Sequence, residues 1–137
     1  MAKSTGLGWT TLSVDDSSGA VCALVNDVTN CQFSTPRGVQ DVTGMDKSAY
    51  ERLLLLADFS ITLNGVFDPG TTPNMAHYCF STVPSTSVLR TTTLTHLTKT
   101  LAVETLYTDY QVTRPAGGEL NWQAPGVLGN GAVPTWT

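Results

Sequence analysis

Charged side chains are scarce in this 137-residue chain, and those present do not gather by sign. Only 13% of the residues are Asp, Glu, Lys or Arg, and the formal net charge is −4. Proteins that bind nucleic acid or an anionic membrane surface do so through clustered Lys and Arg side chains. No such cluster occurs, so the composition argues against both classes of protein.

Cysteines and long apolar runs are also few. Cys22, Cys31 and Cys79 are odd in number and form neither a CxxC pair nor a zinc spacing, so we expect buried free thiols. The apolar run at 53–57 is far too short to cross a bilayer, and the first nine residues lack the apolar segment of a signal peptide. These absences predict a protein without a membrane span that folds in a reducing cytoplasm.

Catalytic and cofactor motifs are missing as well. His77 and His96 could join Asp15 and Asp16 as metal ligands, but the histidines fall on different predicted elements and lack the spacing of a ligand pair. Cys79 lies two positions from His77, on a different helical face, which weakens a nucleophile interpretation. The sequence contains no Gly-x-Ser-x-Gly elbow and no phosphate loop between a strand and a helix. We therefore expect no enzyme, no metal and no cofactor.

Threonine, by contrast, is abundant, with 22 residues. β-branched residues favour strands, and the length fits a single domain spanning 1–137 with extended N- and C-terminal segments. About eight strand patterns and two short helical patterns predict a mainly β fold. The expected architecture is a β-sandwich or partly rolled antiparallel sheet with one or two short flanking helices.

Alternating apolar and polar residues predict the positions of the strands. We expect strands at 9–14, 20–25, 28–34, 58–65, 86–96, 101–112 and 119–124. Residues 15–19 have the composition of a tight hairpin turn. Glycine and proline predict an irregular tail from residue 125, whose apolar residues would lie against another surface.

The centre of the chain, Val39–Phe67, predicts a short helix between two strands. Asp46 is suited to cap the helix, and Tyr50, Leu53 and Leu54 would share one helical face. From Asp58 the period changes to two, which predicts a half-buried strand.

A second helix is expected after Thr72 and Pro73, because proline suits the first position of a helix and threonine suits its cap. Its packed face would carry Met75, Ala76, Cys79 and Phe80. It should end before Pro84, since the residue ahead of a proline avoids helical angles.

Residues 38–70, GVQDVTGMDKSAYERLLLLADFSITLNGVFDPG, resemble the centre of the tail tube (major tail) proteins of long-tailed bacteriophages. That family shows, in this order, a Gly-Val-x-Asp-Val-Thr segment, a short helix with a Glu-Arg pair, and a strand that runs into a Gly-x-Phe or Gly-x-Trp end. The segments LYTDY at 106–110 and GGELNW at 117–122 resemble the family's last strands. The resemblance therefore covers most of the chain.

This resemblance implies a structural protein of the virion tail, assembled in the host cytoplasm. Copies of the chain would form hexameric rings that stack into a tube, surround the tape measure protein, and let phage DNA pass without specific binding. Six copies would carry six times −4, or −24 charges per ring. Net repulsion of phosphates suits a conduit for DNA.

Two sets of residues follow as candidates for these roles. The polar faces of the late strands supply candidates for the lumen: Glu104, Asp109, Glu119, Asn121 and Gln123. The segments 9–16, 36–44 and 125–137 supply candidates for contacts between rings or subunits: Trp9, Asp15, Asp16, Arg37, Val39, Asp41, Val127, Leu128 and Trp136.

Other functions remain open from the sequence. A distal tail ring, a tail terminator ring or a capsid decoration protein would share many of these features. Trp9, Trp122 and Trp136 could also stack on sugars, as in a small carbohydrate-binding β module.

Overall fold

Antiparallel strands dominate the structure, a computed structural model that describes residues 3 and 5–137. In this part of the chain the elements, in order, are β1 (Trp9–Asp15), β2 (Val21–Ala23), β3 (Asn30–Ser34), β4 (Arg37–Asp41), β5 (Arg52–Ala57), β6 (Ser60–Val66), α1 (Ala76–Phe80), β7 (Arg90–His96), β8 (Lys99–Tyr107), β9 (Gln111–Thr113) and β10 (Asn121–Leu128).

Eight of the strands form one antiparallel sheet in the order β2-β1-β7-β8-β10-β6-β3, and β9 continues β8 along the same side of β10. β4 and β5 form a separate two-stranded sheet. The predicted mainly β fold, an antiparallel sheet with a short helix, is confirmed.

The large sheet curls until strands from its two ends approach each other. Trp9 on β1 and Phe33 on β3 are distant in the strand order, yet their ring centroids are 6.2 Å apart with an edge-on geometry. Beside these rings a cleft of about 370 Å³ separates β1 from β3, with Leu12 and Cys31 among its lining residues. The roll therefore remains open, and the outer edges of β2 and β3 have no strand partner in the described structure.

The inner face of the rolled sheet forms the core. Period-two alternation places apolar residues of successive strands on this face. Its buried residues include Leu12, Val14, Ile61, Leu63, Leu101, Val103, Trp122 and Ala124. Phe80 of α1 packs on Tyr107 and Trp122 at centroid distances of 5.0 and 5.7 Å, so the helix covers part of the core.

The helix α1 begins later than the sequence predicts, because its cap comes from elsewhere in the chain. The N–H of Ala76 donates to Oδ2 of Asp27 at 2.6 Å, while the hydroxyl of Thr72 donates to Oδ1 of Asn74. Burial raises the pKa of the Asp27 carboxyl. The prediction that the helix ends before Pro84 is confirmed.

The three cysteines are free thiols, as predicted. Cys22 and Cys79 are fully buried, and Cys31 is partly buried. Burial raises the pKa of the Cys31 thiol to about 11, which keeps it protonated near neutral pH.

The predicted helix after Asp46 is wrong. Residues 42–50 form an irregular loop, and the leucine run that follows is strand β5. Pairing across the hairpin decides this, because the N–H of Val42 donates to the carbonyl of Glu51 and the N–H of Glu51 donates to Oγ1 of Thr43. The spacing of leucines in a run of four fits a strand as well as a helix.

Three strand predictions also need correction. The predicted strand at 101–112 is two strands, β8 and β9, separated by residues 108–110. β7 begins only at Arg90, not at residue 86, and the face that carries Arg90, Thr92 and Leu94 is buried. β10 does not stop at residue 124 but continues to Leu128. The N–H and C=O of a strand residue point to the same side. The carbonyl of Pro125 points to the break between β8 and β9, where it accepts from the N–H of Thr108. No strand of the described chain lies there that would need an N–H from residue 125, so a proline is tolerated.

Candidate functional site

One largely exposed feature of the fold is a hairpin that we call the arm, residues 37–57. β3 and β6 form an antiparallel pair within the large sheet. β4 and β5 extend this pair beyond the border of the sheet. The carbonyl of Pro36 accepts from the N–H of Asp58 at 3.0 Å and joins the two halves. β10 ends beside Phe59, so the arm pairs with no other strand of the described chain.

The arm is apolar although it is exposed. Leu53, Leu54 and Leu56 are 57%, 61% and 90% exposed, and Val39 on the facing strand is 54% exposed. Large exposed apolar patches mark interaction surfaces. Of these residues only Val39 was a sequence candidate; Leu53 and Leu54 were missed because they were assigned to one face of a predicted helix.

Polar groups hold the base and the tip of the arm. Nε and Nη2 of Arg37 both donate to the carbonyl of Leu55, at 2.9 and 2.7 Å. The carboxylate of Asp41 accepts from the N–H and the hydroxyl of Thr43, and these bonds lower the pKa of Asp41. Arg37 and Asp41, both candidates from the sequence, thus shape the arm itself.

The tip of the arm carries most of its charge. Lys47 and Glu51 form an ion pair at 3.5 Å, and the guanidinium of Arg52 lies 4.7 Å from the ring centroid of Tyr50. The middle of the hairpin, where the leucines lie, bears no charge.

The second candidate surface is the outer face of β3, β6, β9 and β10, which we call the neutral face. Its strand residues are uncharged, and most are polar: Asn30, Gln32, Ser34, Ser60, Thr62, Asn64, Val66, Gln111, Thr113, Asn121, Gln123, Pro125 and Val127. The register aligns four carboxamides in a row across the four strands, in the order Asn30, Asn64, Gln123 and Gln111.

The structure divides the five lumen candidates. Asn121 and Gln123 lie on the neutral face, and Asp109 adjoins it because Nε2 of Gln111 donates to Oδ2 of Asp109 at 2.9 Å. Glu104 lies on the outer face of β8, toward the opposite end of β10, where it accepts a hydrogen bond from the Thr91 hydroxyl.

Glu119, the fifth lumen candidate, is exposed in the loop before β10. The five residues therefore do not form a single patch.

None of the strand residues of the neutral face is Lys or Arg. The chain has seven Lys and Arg residues. Arg37, Lys47 and Arg52 belong to the arm, and Arg90 is buried. The others are Lys3 near the N-terminus, Lys99 at the start of β8 and Arg114 just after β9.

The contact candidates near the two chain ends, Trp9 and Trp136, pack partly against other residues of the same chain. Trp9 contacts Phe33 and His96, and Trp136 packs on Phe33 at 5.9 Å. The backbone groups of Thr137 and Thr100 bond reciprocally at 2.9 and 3.0 Å, so the tail lies along β8.

The remaining contact candidates lie in strands or turns. Leu128 packs against the core, whereas Val127 is exposed on the outer face of β10. Asp16 organises the hairpin turn, accepting from Ser18 and Ala20, and these bonds lower its pKa. The carbonyl of Asp15 accepts from Arg90 at 3.3 Å.

The side chains considered for chemistry serve packing instead. His77 stacks near Phe67 and Tyr110, and His96 lies against Trp9 on a different element. Among the residues that the structure describes, no group of three or more His, Cys, Asp or Glu side chains could hold a metal ion. No helix in the same residues is long and apolar enough for a transmembrane span.

The tryptophans do not form a sugar-stacking platform. Trp122 is 2% exposed and lies in the core, and Trp9 is wedged into the aromatic cluster between β1 and β3. Only Trp136 remains substantially exposed. The carbohydrate-binding interpretation therefore loses the aromatic surface on which it depended.

Comparison with solved structures places this fold. The chain matches one from the tail of an empty gene transfer agent particle, obtained by helical refinement with C6 symmetry, with a TM-score of 0.70. It also matches a chain from the virion of a native gene transfer agent particle with a TM-score of 0.67. Each match has 16% sequence identity and covers 98% of this chain and 99% of the other.

Sequence comparison adds nothing to these structural matches: no protein-family model matches the chain, and no curated protein does. At this level of identity the structural matches show a shared fold. They bear out the resemblance seen in the sequence, because a chain of a phage-like tail has the same architecture from end to end.

Proposed function

We propose that this chain is the tube protein of a phage-like tail, which assembles into six-membered rings that stack into a conduit for DNA. The observation that carries the proposal is the fold match over 98% of the chain to a component of a C6-symmetric, helically refined tail. The protein then acts by self-association and performs no chemical step. Its place is the tail of a virion-like particle.

Unsatisfied strand edges support self-association. Among the residues that the structure describes, the outer edges of β2 and β3 each leave backbone N–H and C=O groups without a strand partner. Such edges invite pairing with another chain, and joining sheets into a closed ring removes them. Pairing between neighbouring copies therefore uses the two borders that the rolled sheet leaves open.

The neutral face suits the wall of a DNA conduit. A surface without Lys or Arg releases no counterions on contact with phosphates, so DNA gains no electrostatic binding energy there. Hydroxyl and carboxamide groups keep the wall hydrated. In this arrangement Asn121 and Gln123 face the bore and the arm lies outside it. The tape measure protein would fill the same bore during assembly.

Negative-stain electron microscopy of the concentrated, purified chain tests the proposal. We expect long tubes with sixfold end views, and a sedimentation profile dominated by particles much larger than a single ring. Discrete rings that do not stack would instead indicate a terminator or distal tail ring, and a persistent monomer would overturn self-assembly. Binding to capsids in place of tube formation would indicate a decoration protein.

A further inference from the structure

The dipeptide Asn-Gly occurs twice in the chain, at Asn64-Gly65 and at Asn130-Gly131. An asparagine followed by glycine loses its side-chain amide readily, because glycine has no Cβ to hinder attack by its own backbone nitrogen. Asparagine is accordingly one of the heat-labile residues of proteins. The two dipeptides are chemically alike, but the fold places them in very different surroundings.

The first dipeptide, Asn64-Gly65, is held inside the large sheet. β6 pairs with strands on both sides, and Asn64 lies opposite Asn30 of β3 and Gln123 of β10. A Cβ on Gly65 would meet the carbonyl oxygen of Asp27 at 2.3 Å, so the glycine is closely surrounded. The extended backbone of a strand must rotate before the glycine nitrogen can reach the side-chain carbonyl carbon of the asparagine. The sheet therefore protects Asn64.

The second dipeptide, Asn130-Gly131, lies in the exposed, irregular tail after β10. A Cβ on Gly131 would meet no atom within 4 Å. The N–H of Ala132 donates to Oδ1 of Asn130 at 3.0 Å, which closes a ring that contains both Cγ of Asn130 and the backbone nitrogen of Gly131. This hydrogen bond also draws electrons from Cγ, which makes that carbon a better electrophile.

We propose that Asn130 is a site of spontaneous deamidation, and that the carboxylate formed there loosens the tail from β8. The backbone nitrogen of Gly131 loses its proton to hydroxide and attacks Cγ of Asn130. The Cγ–Nδ2 bond breaks, and ammonia leaves with a proton taken from water. Water then opens the cyclic imide at either carbonyl. Cleavage at Cγ gives aspartate, whereas cleavage at the backbone carbonyl gives isoaspartate, which adds one methylene to the main chain.

The new carboxylate would lie near an existing one. Asn130 and Glu104 line the same cavity of about 120 Å³, and the N–H of Gly129 donates to the carbonyl of Glu104 at 3.1 Å. Deamidation changes the formal net charge of the chain from −4 to −5. Like charges at this separation repel, so the product is less compatible with the packed tail than the amide is.

The tail is suited to respond because its backbone is anchored at the two ends of a short span. The N–H of Gly129 bonds to Glu104 at one end, and Thr137 bonds reciprocally to Thr100 at the other. From residue 130 to residue 135, no backbone group bonds to the backbone of another segment of the described chain. Repulsion or an added methylene within this span therefore acts on the pairing of Thr137 with Thr100.

Peptide mapping by mass spectrometry compares the two dipeptides within one folded chain, so that Asn64 is the internal control. After incubation of the full chain in heavy-oxygen water at mildly alkaline pH, we expect Asn130 to convert at least tenfold faster than Asn64. In guanidinium chloride, which removes the sheet, the two rates should agree within threefold. Equal rates in the folded chain, or a tenfold difference that persists in denaturant, would overturn the proposed site.

Two variants test the effect on the tail. Asn130→Asp supplies the carboxylate, whereas the matched control Asn130→Ser keeps an acceptor for the N–H of Ala132 and cannot deamidate. We expect the amides of Thr100 and Thr137 to exchange with deuterium at least threefold faster in the aspartate variant, and added salt to reduce the difference. Equal exchange in the two variants would overturn the proposed loosening. Both tests use the free subunit, so failure of either leaves the tube proposal intact.

Discussion

At the scale of single residues, Arg90 is unusual because it is a charged side chain buried in the core. It is 1% exposed, and no carboxylate pairs with it in the described structure. Nη1 donates to the carbonyl of Cys79 at 2.5 Å and Nη2 to the hydroxyl of Thr82 at 2.9 Å. The guanidinium thus satisfies the C-terminal end of α1, where the helix dipole favours a positive charge.

Arg90→Met should reduce the free energy of unfolding by about 2–4 kcal/mol, because it leaves buried carbonyl groups without donors. Urea denaturation measures the change. The control Arg114→Met alters an exposed arginine and should stay within about 0.5 kcal/mol of the unaltered chain. Equal effects of the two substitutions would show that the buried hydrogen bonds add no stability.

Burial of the three thiols should make the folded state less stable at alkaline pH. The pKa of Cys31 is raised to about 11 and those of Cys22 and Cys79 are also raised, so the folded state holds these protons more tightly than the unfolded state. Stability is therefore complete below the unfolded thiol pKa near 9 and falls as the pH rises above it.

We expect Cys31 to account for a loss of about 1 kcal/mol between about pH 8 and pH 10.5, after allowing for its partial exposure. Urea midpoints across this range measure it. Cys31→Ser should show a shallower decline, because the contribution of Cys31 is lost, but not a flat one, because two buried thiols remain. A variant whose midpoint falls as steeply as that of the unaltered chain would contradict the assignment.

At the scale of elements, α1 depends on a cap supplied from 49 residues away in the sequence. Asp27→Ala removes the acceptor for the N–H of Ala76 and should cost about 1 kcal/mol, whereas Asp27→Asn keeps an oxygen there and should cost less. Asp46→Ala serves as the control, because residue 46 lies in a loop and caps no helix. A loss at Asp46 as large as at Asp27 would restore the rejected helix.

The arm should be separable from the rest of the fold, because β4 and β5 pair with no other strand of the described chain. Replacing residues 38–56 by a short Asn-Gly turn should change the melting temperature of the subunit by less than about 5 °C. Differential scanning calorimetry measures this, and electron microscopy of the same protein should show no tubes. A shortened chain that fails to fold would place the arm within the folding unit.

At the scale of the whole molecule, the distribution of charge matters more than its sum. The net charge of −4 is modest, but the exclusion of Lys and Arg from the neutral face leaves phosphates without a counter-charge there. In the proposed tube, repulsion by carboxylates plays a smaller part than the sequence suggested, because the two lumen candidates on that face, Asn121 and Gln123, carry no charge.

Placing cations on this face should create DNA binding. Tubes of the Asn121→Lys and Gln123→Lys double variant should retain DNA at about 0.15 M salt and release it as salt rises, whereas unaltered tubes should not retain it. Co-sedimentation measures the retained DNA. The control, Thr71→Lys with Asn74→Lys, adds the same charge in the loop before α1. Equal retention by both variants would show that net charge alone governs binding.

The sequence by itself determined the class of fold and most of its inner face. Ile61, Leu63, Trp122 and Ala124 were readable as core because a period of two is a local property of the chain. The turn at 15–19 was equally local, since Asp16 bonds its own neighbours and Gly19 adopts a positive φ of 88°.

Only the tertiary structure decided which elements the ambiguous segments would join. The leucine run became a strand because β4 lies beside it, and α1 shifted because Asp27 reaches its first N–H. Pro125 lies inside a strand because the break between β8 and β9 lies opposite it. Pairing and capping across long separations depend on where distant segments meet in space, and neither periodicity nor propensity along the chain records that.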